Sequence, residues 1–195
     1  MALIGDAPCV EDERDQVVIM PAAVFLDRDG VLNEAVARDG LPYAPNRQED
    51  FRIYPEALGA LARLKSRRYL LIVVTNQPDI GREDVAQEVV DGLNARLRRA
   101  LPMIDDIRVC PHDNRDNCNC RKPKPGLILD AARDYGIDLA SSFMVGDRWR
   151  DIDCGANAGV KTILVDRGWP ERAPEHAPDF RVANVAEAAD VIVGT

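Results

Sequence analysis

The sequence predicts an α/β fold in which helices cover both faces of a doubly wound parallel sheet. Near-continuous apolar runs of strand length alternate with longer stretches of helical periodicity, as in sheets that are buried on both sides. The connections are long enough for right-handed crossovers. Four of the runs also end in a polar or reactive residue, namely Asp27, Thr75, Cys110 and Asp147. Because ligands bind at the carboxyl ends of parallel strands, a functional site is expected there.

The elements alternate regularly along the chain. Strands are predicted over residues 22–27, 69–77, 106–110, 142–147 and 161–166. Helices are predicted over residues 55–68, 85–101, 126–135, 150–157 and 185–193, where apolar residues recur every three or four positions. No internal repeat or low-complexity tract interrupts this order. The pattern predicts one domain over residues 21–195, preceded by an acidic tail over residues 1–20.

Length and composition are those of a globular protein. The chain has 195 residues, of which 46% are hydrophobic and 30% charged. No apolar run approaches the length of a membrane span. The first twenty residues lack the basic start and the apolar stretch of a secretory signal. These observations predict a cytoplasmic protein with no membrane partner, and we expect a monomer.

The net charge of −8 disfavours binding to nucleic acids, whose backbone this protein repels. A small anionic substrate requires a local positive site instead. The chain has only four lysines, and two of them, Lys122 and Lys124, lie in the segment "RKPKPG". We therefore expect a small phosphorylated molecule as the partner, with Lys122 as a compact charge that neutralises a phosphoryl group. A solvated basic turn is the alternative reading, and we prefer it for Lys124.

The segment "AAVFLDRDG" places Asp27 and Asp29 directly after the first strand. In extended backbone such residues point the same way, and two close carboxylates repel unless they share a proton or a cation. Mg²⁺ is the natural cation for oxygen ligands. The pair also fits a division of labour between nucleophilic attack and proton transfer. The alternative is a turn, ending at Gly30, that the aspartates cap.

Two further strand ends carry polar groups. In "VVTNQ", Thr75 and Asn76 offer donors that suit an anion. In "MVGDRWRDID", Asp151 follows Asp147 by one helical turn, so both could complete a cation site with Asp27. An acidic helix N-terminus is the simpler explanation of the second motif when it is taken alone.

Taken together and in this order, the motifs from Ala22 onwards resemble the haloacid-dehalogenase (HAD) superfamily of phosphohydrolases. The resemblance implies that Asp27 forms an aspartyl phosphate and that Asp29 acts as acid and then base. It further implies phosphoryl contacts from Thr75 and Lys122, and substrate contacts from Asn76, Arg121 and Arg148. It implies a Mg²⁺ site made by Asp27, Asp29 through its backbone carbonyl and Asp147, with Asp151 behind these ligands. The expected site is open, without a cap domain.

The segment "CPHDNRDNCNC" predicts a second metal site. Cys110, His112, Cys118 and Cys120 supply three thiolates and one imidazole, the full ligand set of a structural, tetrahedral Zn²⁺ site. A disulfide between two of the cysteines, or three incidental cysteines, are the alternatives. Such a zinc loop would orient Arg121 and Lys122, which follow it directly.

A zinc loop before "RKP" resembles two phosphatase families within the superfamily. One acts on D-glycero-D-manno-heptose 1,7-bisphosphate and the other on histidinol phosphate, and "KPKPG" favours the first. The segment "PDIGRE" departs from the usual pattern, since Pro78 and Asp79 add rigidity and a negative charge near the substrate. Two other classes stay open, an inactive scaffold and a zinc-loop binder of nucleic acids.

Overall fold

The structure is a computed structural model that describes residues 20–195, so the predicted acidic tail, apart from Met20, lies outside the described residues. In chain order the elements are β1 (Ala23–Leu26), β2 (Val36–Arg38), β3 (Leu41–Tyr43), α1 (Ala57–Ser66), β4 (Leu70–Asn76), α2 (Pro78–Gly81), α3 (Gln87–Ala100), β5 (Asp106–Cys110), a 3₁₀ turn (Asn114–Asp116), α4 (Gly126–Tyr135), β6 (Phe143–Gly146), α5 (Trp149–Ala158), β7 (Lys161–Val165), β8 (Phe180–Val182) and α6 (Val185–Gly194).

The central sheet has six strands in the order β5-β4-β1-β6-β7-β8, and every neighbouring pair is parallel. The chain leaves β1 on one side to form β4 and β5, and then returns to form β6 on the other side of β1. The strand order therefore reverses at β1, which opens a crevice at the carboxyl ends of β1 and its neighbours. The predicted doubly wound α/β fold is confirmed.

Each face of the sheet carries its own hydrophobic core, because successive strand residues point to opposite sides. In β1, Val24 and Leu26 pack with residues of α1, α3 and α6, whereas Ala23 and Phe25 pack with residues of α4 and α5. All four of these strand residues are fully buried. The two layers hold the strand ends rigidly in register, which fixes the positions of the side chains that follow the strands.

The predicted elements are all present, and β5 and α4 have the predicted bounds. The second helix begins at Gln87 rather than Val85, because the N–H of Val85 donates to the carbonyl of Asp79 in a turn. Four short elements were not predicted: the hairpin β2–β3, the single turn α2, the 3₁₀ turn and the edge strand β8.

The insertions around the sheet are small. Between β1 and α1 the chain forms the antiparallel hairpin β2–β3, and after β5 it forms the cysteine loop. Within residues 20–195 no further domain covers the crevice, as expected for a site without a cap. In the same part of the chain, no helix has the length and apolar character that crossing a membrane requires.

Candidate active site

The polar residues at the strand ends meet in one open cavity of about 250 Å³. They converge because β1 lies between β4 and β6 in a parallel sheet, which brings the residues after these strands to one edge. Eight predicted site residues line the cavity: Asp27, Asp29, Thr75, Asn76, Arg121, Lys122, Arg148 and Asp151. Residues from four separate segments of the sequence thus lie around one cavity.

Lys122 joins two of the carboxylates. Its Nζ atom lies 2.8 Å from Oδ1 of Asp27 and 2.6 Å from Oδ1 of Asp151, and it donates to the carbonyl of Val74 at 2.8 Å. Burial disfavours the ammonium, but Asp151 and Asp27 outweigh that cost and raise the pKa of Lys122. Burial also raises the pKa of Asp27 to about 6, against the opposing effect of Lys122. The buried lysine thus keeps its charge through its two carboxylate neighbours.

Asp147 completes a cluster of three buried carboxylates. Oxygens of Asp27, Asp147 and Asp151 all lie within 4.8 Å of one another. Burial and then the charges of Asp151 and Asp27 raise the pKa of Asp147 well above its usual value. Its Oδ2 accepts a 2.6 Å hydrogen bond from the indole of Trp169, whereas Oδ1 is buried and has no partner within the described residues. Three carboxylates facing one ammonium leave an excess of negative charge that a divalent cation would neutralise.

Two glycines make room for this cluster. A Cβ on Gly30 would lie 2.0 Å from Oδ2 of Asp147, and Gly30 also has a φ of +94°. A Cβ on Gly146 would lie 2.1 Å from the Cβ of Asp151. Only glycine permits the backbone of the first loop to pass so close to the carboxylate of Asp147.

Asp29 is oriented by its own set of donors. Its carboxylate accepts hydrogen bonds from Arg28, from Asn33 Nδ2 at 2.9 Å and from Gln77 Nε2 at 2.8 Å. Arg28 is fully buried, and its Nη1 donates to Asn94 on α3. Asp29 thus lines the cavity in a fixed orientation, and its carboxylate is not one of the three clustered with Asp147.

Thr75 and Asn76 are the last two residues of β4, and their side chains have different hydrogen-bond partners. Gln77 Nε2 donates to the hydroxyl oxygen of Thr75 at 2.9 Å, which leaves the hydroxyl proton free to point into the cavity. The amide of Asn76 exchanges two 3.1 Å hydrogen bonds with the backbone of Lys122. Asn76 therefore fixes the position of the lysine, in addition to lining the cavity.

The two predicted arginines are both anchored. Arg121 donates to Oδ1 of Asn114 at 2.7 Å and to the carbonyl of His112 at 3.2 Å. Burial lowers its pKa. Arg148 forms a two-pronged ion pair with Glu171. Glu171 therefore neutralises part of the charge of Arg148, whereas the acceptors that Arg121 contacts are uncharged.

The negative charge of Asp79, which departs from the family pattern, is neutralised within its own segment. Arg82 lies 3.3 Å from Oδ1 of Asp79, and its Nε lies 2.6 Å from Oδ2 of Asp113. The same arginine therefore links helix α2 to the cysteine loop. Asp79 lines the cavity as one member of an ion-paired network and not as an isolated anion.

The four predicted zinc ligands converge at the end of β5. Sulfur atoms of Cys110, Cys118 and Cys120 lie 3.2–3.7 Å apart, and Nδ1 of His112 lies 3.2 Å from Sγ of Cys120. These separations far exceed an S–S bond of about 2.05 Å. They approach the edge of about 3.8 Å that follows from a tetrahedron with Zn–S bonds of about 2.3 Å. The cysteines are free, and the cluster is suited to a metal ion.

One thiol of the cluster, that of Cys118, ionises more easily than a free cysteine. Burial opposes ionisation of Cys118, but hydrogen bonds from Cys120, from the backbone N–H of Arg121 and from Cys110 lower its pKa to about 7. The loop is also tied to the crevice, because the N–H of Gln77 donates to the carbonyl of Cys110 at 2.8 Å. Ordering of the loop is thereby coupled to the end of β4.

Several residues of the site were not predicted from the sequence. Arg28 and Gln77 orient Asp29, Trp169 contacts Asp147, and Glu171 pairs with Arg148. Gln77 is the last residue of the segment "VVTNQ", and its position directly after β4 is the sequence signal that points to the site. Trp169 and Glu171 belong to a loop after β7, and no spacing signal connects that loop with the crevice.

Comparison with known proteins places these features in a family. A family model described as HAD-hydrolase-like matches residues 119–188. The chain is 37% identical over 163 residues to the D-glycero-beta-D-manno-heptose-1,7-bisphosphate 7-phosphatase of Pasteurella multocida, a match covering 77% of this chain and 85% of that protein. It is 40% identical over 129 residues to the probable D-glycero-D-manno-heptose-1,7-bisphosphate 7-phosphatase of Thermoplasma volcanium, covering 64% and 84% of the two chains.

A solved structure shares the fold. The D,D-heptose 1,7-bisphosphate phosphatase of Bordetella bronchiseptica, crystallised in complex with magnesium and phosphate, superimposes with a TM-score of 0.73 at 30% sequence identity. The match covers 89% of this chain and 98% of that chain. The similarity of fold therefore extends over most of this chain and nearly all of that chain.

Proposed function

Since this chain belongs to the HAD-like family of phosphatases, we propose that it removes the 7-phosphate of D-glycero-D-manno-heptose 1,7-bisphosphate with Mg²⁺ as cofactor. The observation that carries the proposal is the contact between the buried Lys122 and Asp27, at a cavity beside two further buried carboxylates. The substrate is taken from the names of the similar proteins.

In the first step, a carboxylate oxygen of Asp27 attacks phosphorus, and the ester P–O bond of the substrate breaks. Lys122 contacts Oδ1 of Asp27, which leaves Oδ2 for the attack. Asp29 gives its proton to the departing sugar oxygen, so the products are the alcohol and an aspartyl phosphate. The fixed orientation of Asp29 towards the cavity supports this role, because a general acid must be positioned before the transfer.

In the second step, Asp29 accepts a proton from a water molecule that attacks the aspartyl phosphate. The bond between phosphorus and the Asp27 oxygen breaks, which releases inorganic phosphate and restores the carboxylate. A single group thus serves as acid and then as base, and it ends the cycle protonated as it began.

Charge neutralisation accounts for the rest of the catalysis. Lys122 donates hydrogen bonds to Asp27 and to the carbonyl of Val74, and its ammonium group forms an ion pair with Asp151. Once Asp27 carries the phosphoryl group as an acyl phosphate, the N–H of Lys122 that contacted its carboxylate donates to a phosphoryl oxygen instead, with the hydroxyl of Thr75 as a second donor. Such positioned donors are a major source of rate enhancement in phosphoryl transfer. Asn76 keeps the lysine in place through its backbone.

The residues present fit a magnesium ion. Asp27, Asp147 and the backbone carbonyl of Asp29 would hold it, and the partnerless Oδ1 of Asp147 supports this assignment. Both oxygens of Asp151 are already engaged, one by Lys122 and one by the N–H of Arg148, so this residue supports the ligands from behind. When bound, the ion supplies positive charge to the phosphoryl oxygens.

The cysteine cluster is proposed as a structural zinc site. Four protein ligands complete a tetrahedron, which leaves no open position for a substrate or a water molecule. The site acts on catalysis through Arg121, which hydrogen-bonds to His112 and Asn114 of the loop. Zinc would therefore fix the direction of the arginine without taking part in the chemistry.

The test is phosphate release from heptose 1,7-bisphosphate, histidinol phosphate and other sugar phosphates, with Mg²⁺ present. We expect the heptose compound to have the highest kcat/KM, and Asp27→Asn to lose activity by ~10³-fold or more. A preference for histidinol phosphate would overturn the substrate and keep the chemistry. No turnover by folded protein loaded with both metals would favour an inactive scaffold. A salt-dependent mobility shift on RNA or DNA would instead support a function in nucleic-acid binding.

A further inference from the structure

Five cationic side chains line the cavity, and four of them have protein partners. Arg82 pairs with Asp79 and Asp113, Lys122 with Asp27 and Asp151, and Arg148 with Glu171. Arg121 donates to the neutral acceptors of Asn114 and His112. The fifth is Arg150, the second residue of α5.

Arg150 stands apart from the others. Within residues 20–195 it makes no ion pair, and its buried Nε atom has no hydrogen-bond partner. Its guanidinium carbon lies 5.1 Å from the ring centroid of Trp149, and Arg172 covers the same ring at 3.5 Å. Burial, followed by the charge of Arg148, lowers its pKa. A half-buried guanidinium without a counter-ion is costly unless a ligand supplies the anion.

We propose that Arg150 recognises the second phosphate group of the substrate, the one that is not transferred. The inference rests on the proposed function, because only a bisphosphate places a second dianion in this cavity. The planar fork of arginine suits a phosphate, which it binds through two parallel N–H donors. Arg121, which also lacks a carboxylate partner, lies in the same cavity and adds a second positive charge.

The same charge discriminates against the rival substrate. Histidinol phosphate has no second phosphate and instead carries an ammonium group and an imidazole ring. An ammonium group in a cavity that already holds an uncompensated guanidinium raises the electrostatic energy, whereas a phosphate lowers it. Arg150 therefore acts as a specificity residue, and it does not touch the reacting phosphorus.

The experiment measures binding by calorimetry without Mg²⁺, so that no turnover is needed. Its two ligands are heptose 1,7-bisphosphate and heptose 7-phosphate, which differ only in the second phosphate. We expect Arg150→Gln to lower the ratio of the two affinities by ~10- to 100-fold, the range of a charge-assisted hydrogen bond or two. Arg150→Lys should recover part of the ratio, because it keeps the charge and loses the fork.

Arg172→Gln is the matched control, since Arg172 stacks on the same Trp149 but does not line the cavity. It should leave the ratio unchanged. An unchanged ratio in Arg150→Gln, in protein that still hydrolyses the bisphosphate, would overturn this inference and leave the function standing. If the wild-type protein hydrolyses no phosphate ester, the proposed function fails. The binding ratio then still decides the role of Arg150, and equal wild-type affinities for both ligands would refute it.

Discussion

The indole N–H of Trp169 donates a 2.6 Å hydrogen bond to Oδ2 of Asp147, from a loop that follows β7. This contact holds the carboxylate in one orientation and lowers the pKa that burial raises. The remaining oxygen, Oδ1, is thereby directed away from the indole and has no partner within the described residues. A residue far from the aspartate motifs thus orients a carboxylate of the proposed magnesium site.

Replacing Trp169 by phenylalanine removes the donor and keeps most of the ring. Because partners of metal ligands commonly contribute 10- to 100-fold to metal affinity, we expect the Mg²⁺ concentration for half-maximal activity to rise by ~10-fold. Steady-state phosphate release across a Mg²⁺ titration measures this. Trp149→Phe is the control, since Trp149 stacks on arginines and makes no contact with Asp147. Equal titration curves for Trp169→Phe and the wild type would contradict the prediction.

Replacing Lys122 by methionine removes the only ammonium group between Asp27 and Asp151. Breaking a buried ion pair leaves an uncompensated charge and typically costs ~3–5 kcal/mol in the free energy of unfolding. We expect a loss of this size in urea unfolding without Mg²⁺, and a partial recovery when Mg²⁺ is added. Lys124→Met, which removes a half-buried lysine bonded to Asn117, serves for comparison. A stability equal to that of the wild type would mean that the carboxylates are already protonated.

Replacing Cys118 by serine removes one of four ligands from the cysteine cluster. Since the binding of a structural metal adds to folding stability, we expect less bound zinc per chain and a lower Tm. Metal analysis of the purified protein together with thermal unfolding measures both. Cys154→Ala is the control, because Cys154 lies on α5, is buried in the core and is not a member of the cluster. Zinc bound equally by both variants would exclude the proposed site.

The ion pair of Arg82 and Asp113 should make part of the stability depend on pH. The hydrogen bond from Arg82, and then the backbone N–H of Asn114, lower the pKa of Asp113 to about 2. An unfolded aspartate has a pKa near 4. The contribution is therefore complete above pH ~4 and is lost as the pH falls towards 2. Arg82→Gln should lower the stability at neutral pH, and the difference from the wild type should shrink on acidification. Urea unfolding at a series of pH values tests this; a constant difference would argue against it.

The parallel sheet could be predicted because its strands are buried on both faces. Runs such as Leu70–Asn76 are apolar almost without interruption, and the helix Gly126–Tyr135 begins directly after Pro125. The hairpin β2–β3 gives no such signal. Its strands are three residues long and only Pro42 is buried, so neither periodicity nor burial marks them. The edge strand Phe180–Val182 was missed for the same reason.

The candidate site also contains some residues that sequence motifs indicate and others that only the folded structure brings into place. Asp27, Lys122 and Asp147 could be located because each follows a strand or lies in a short basic motif, and the cysteine cluster spans only eleven positions. The pairs that neutralise or orient these residues join distant parts of the chain. Arg148 meets Glu171 across 23 positions, and Gln77 meets Asp29 across 48. Such contacts arise from tertiary packing, which sequence spacing does not encode.

The close approach of Gly30 to Asp147 restricts which residues position 30 can hold. A single methyl group at position 30 would overlap the carboxylate of Asp147, in a backbone conformation that already disfavours any side chain. A larger residue at position 30 would therefore displace the carboxylate that the proposed catalysis requires, although the two positions lie more than a hundred residues apart in the sequence.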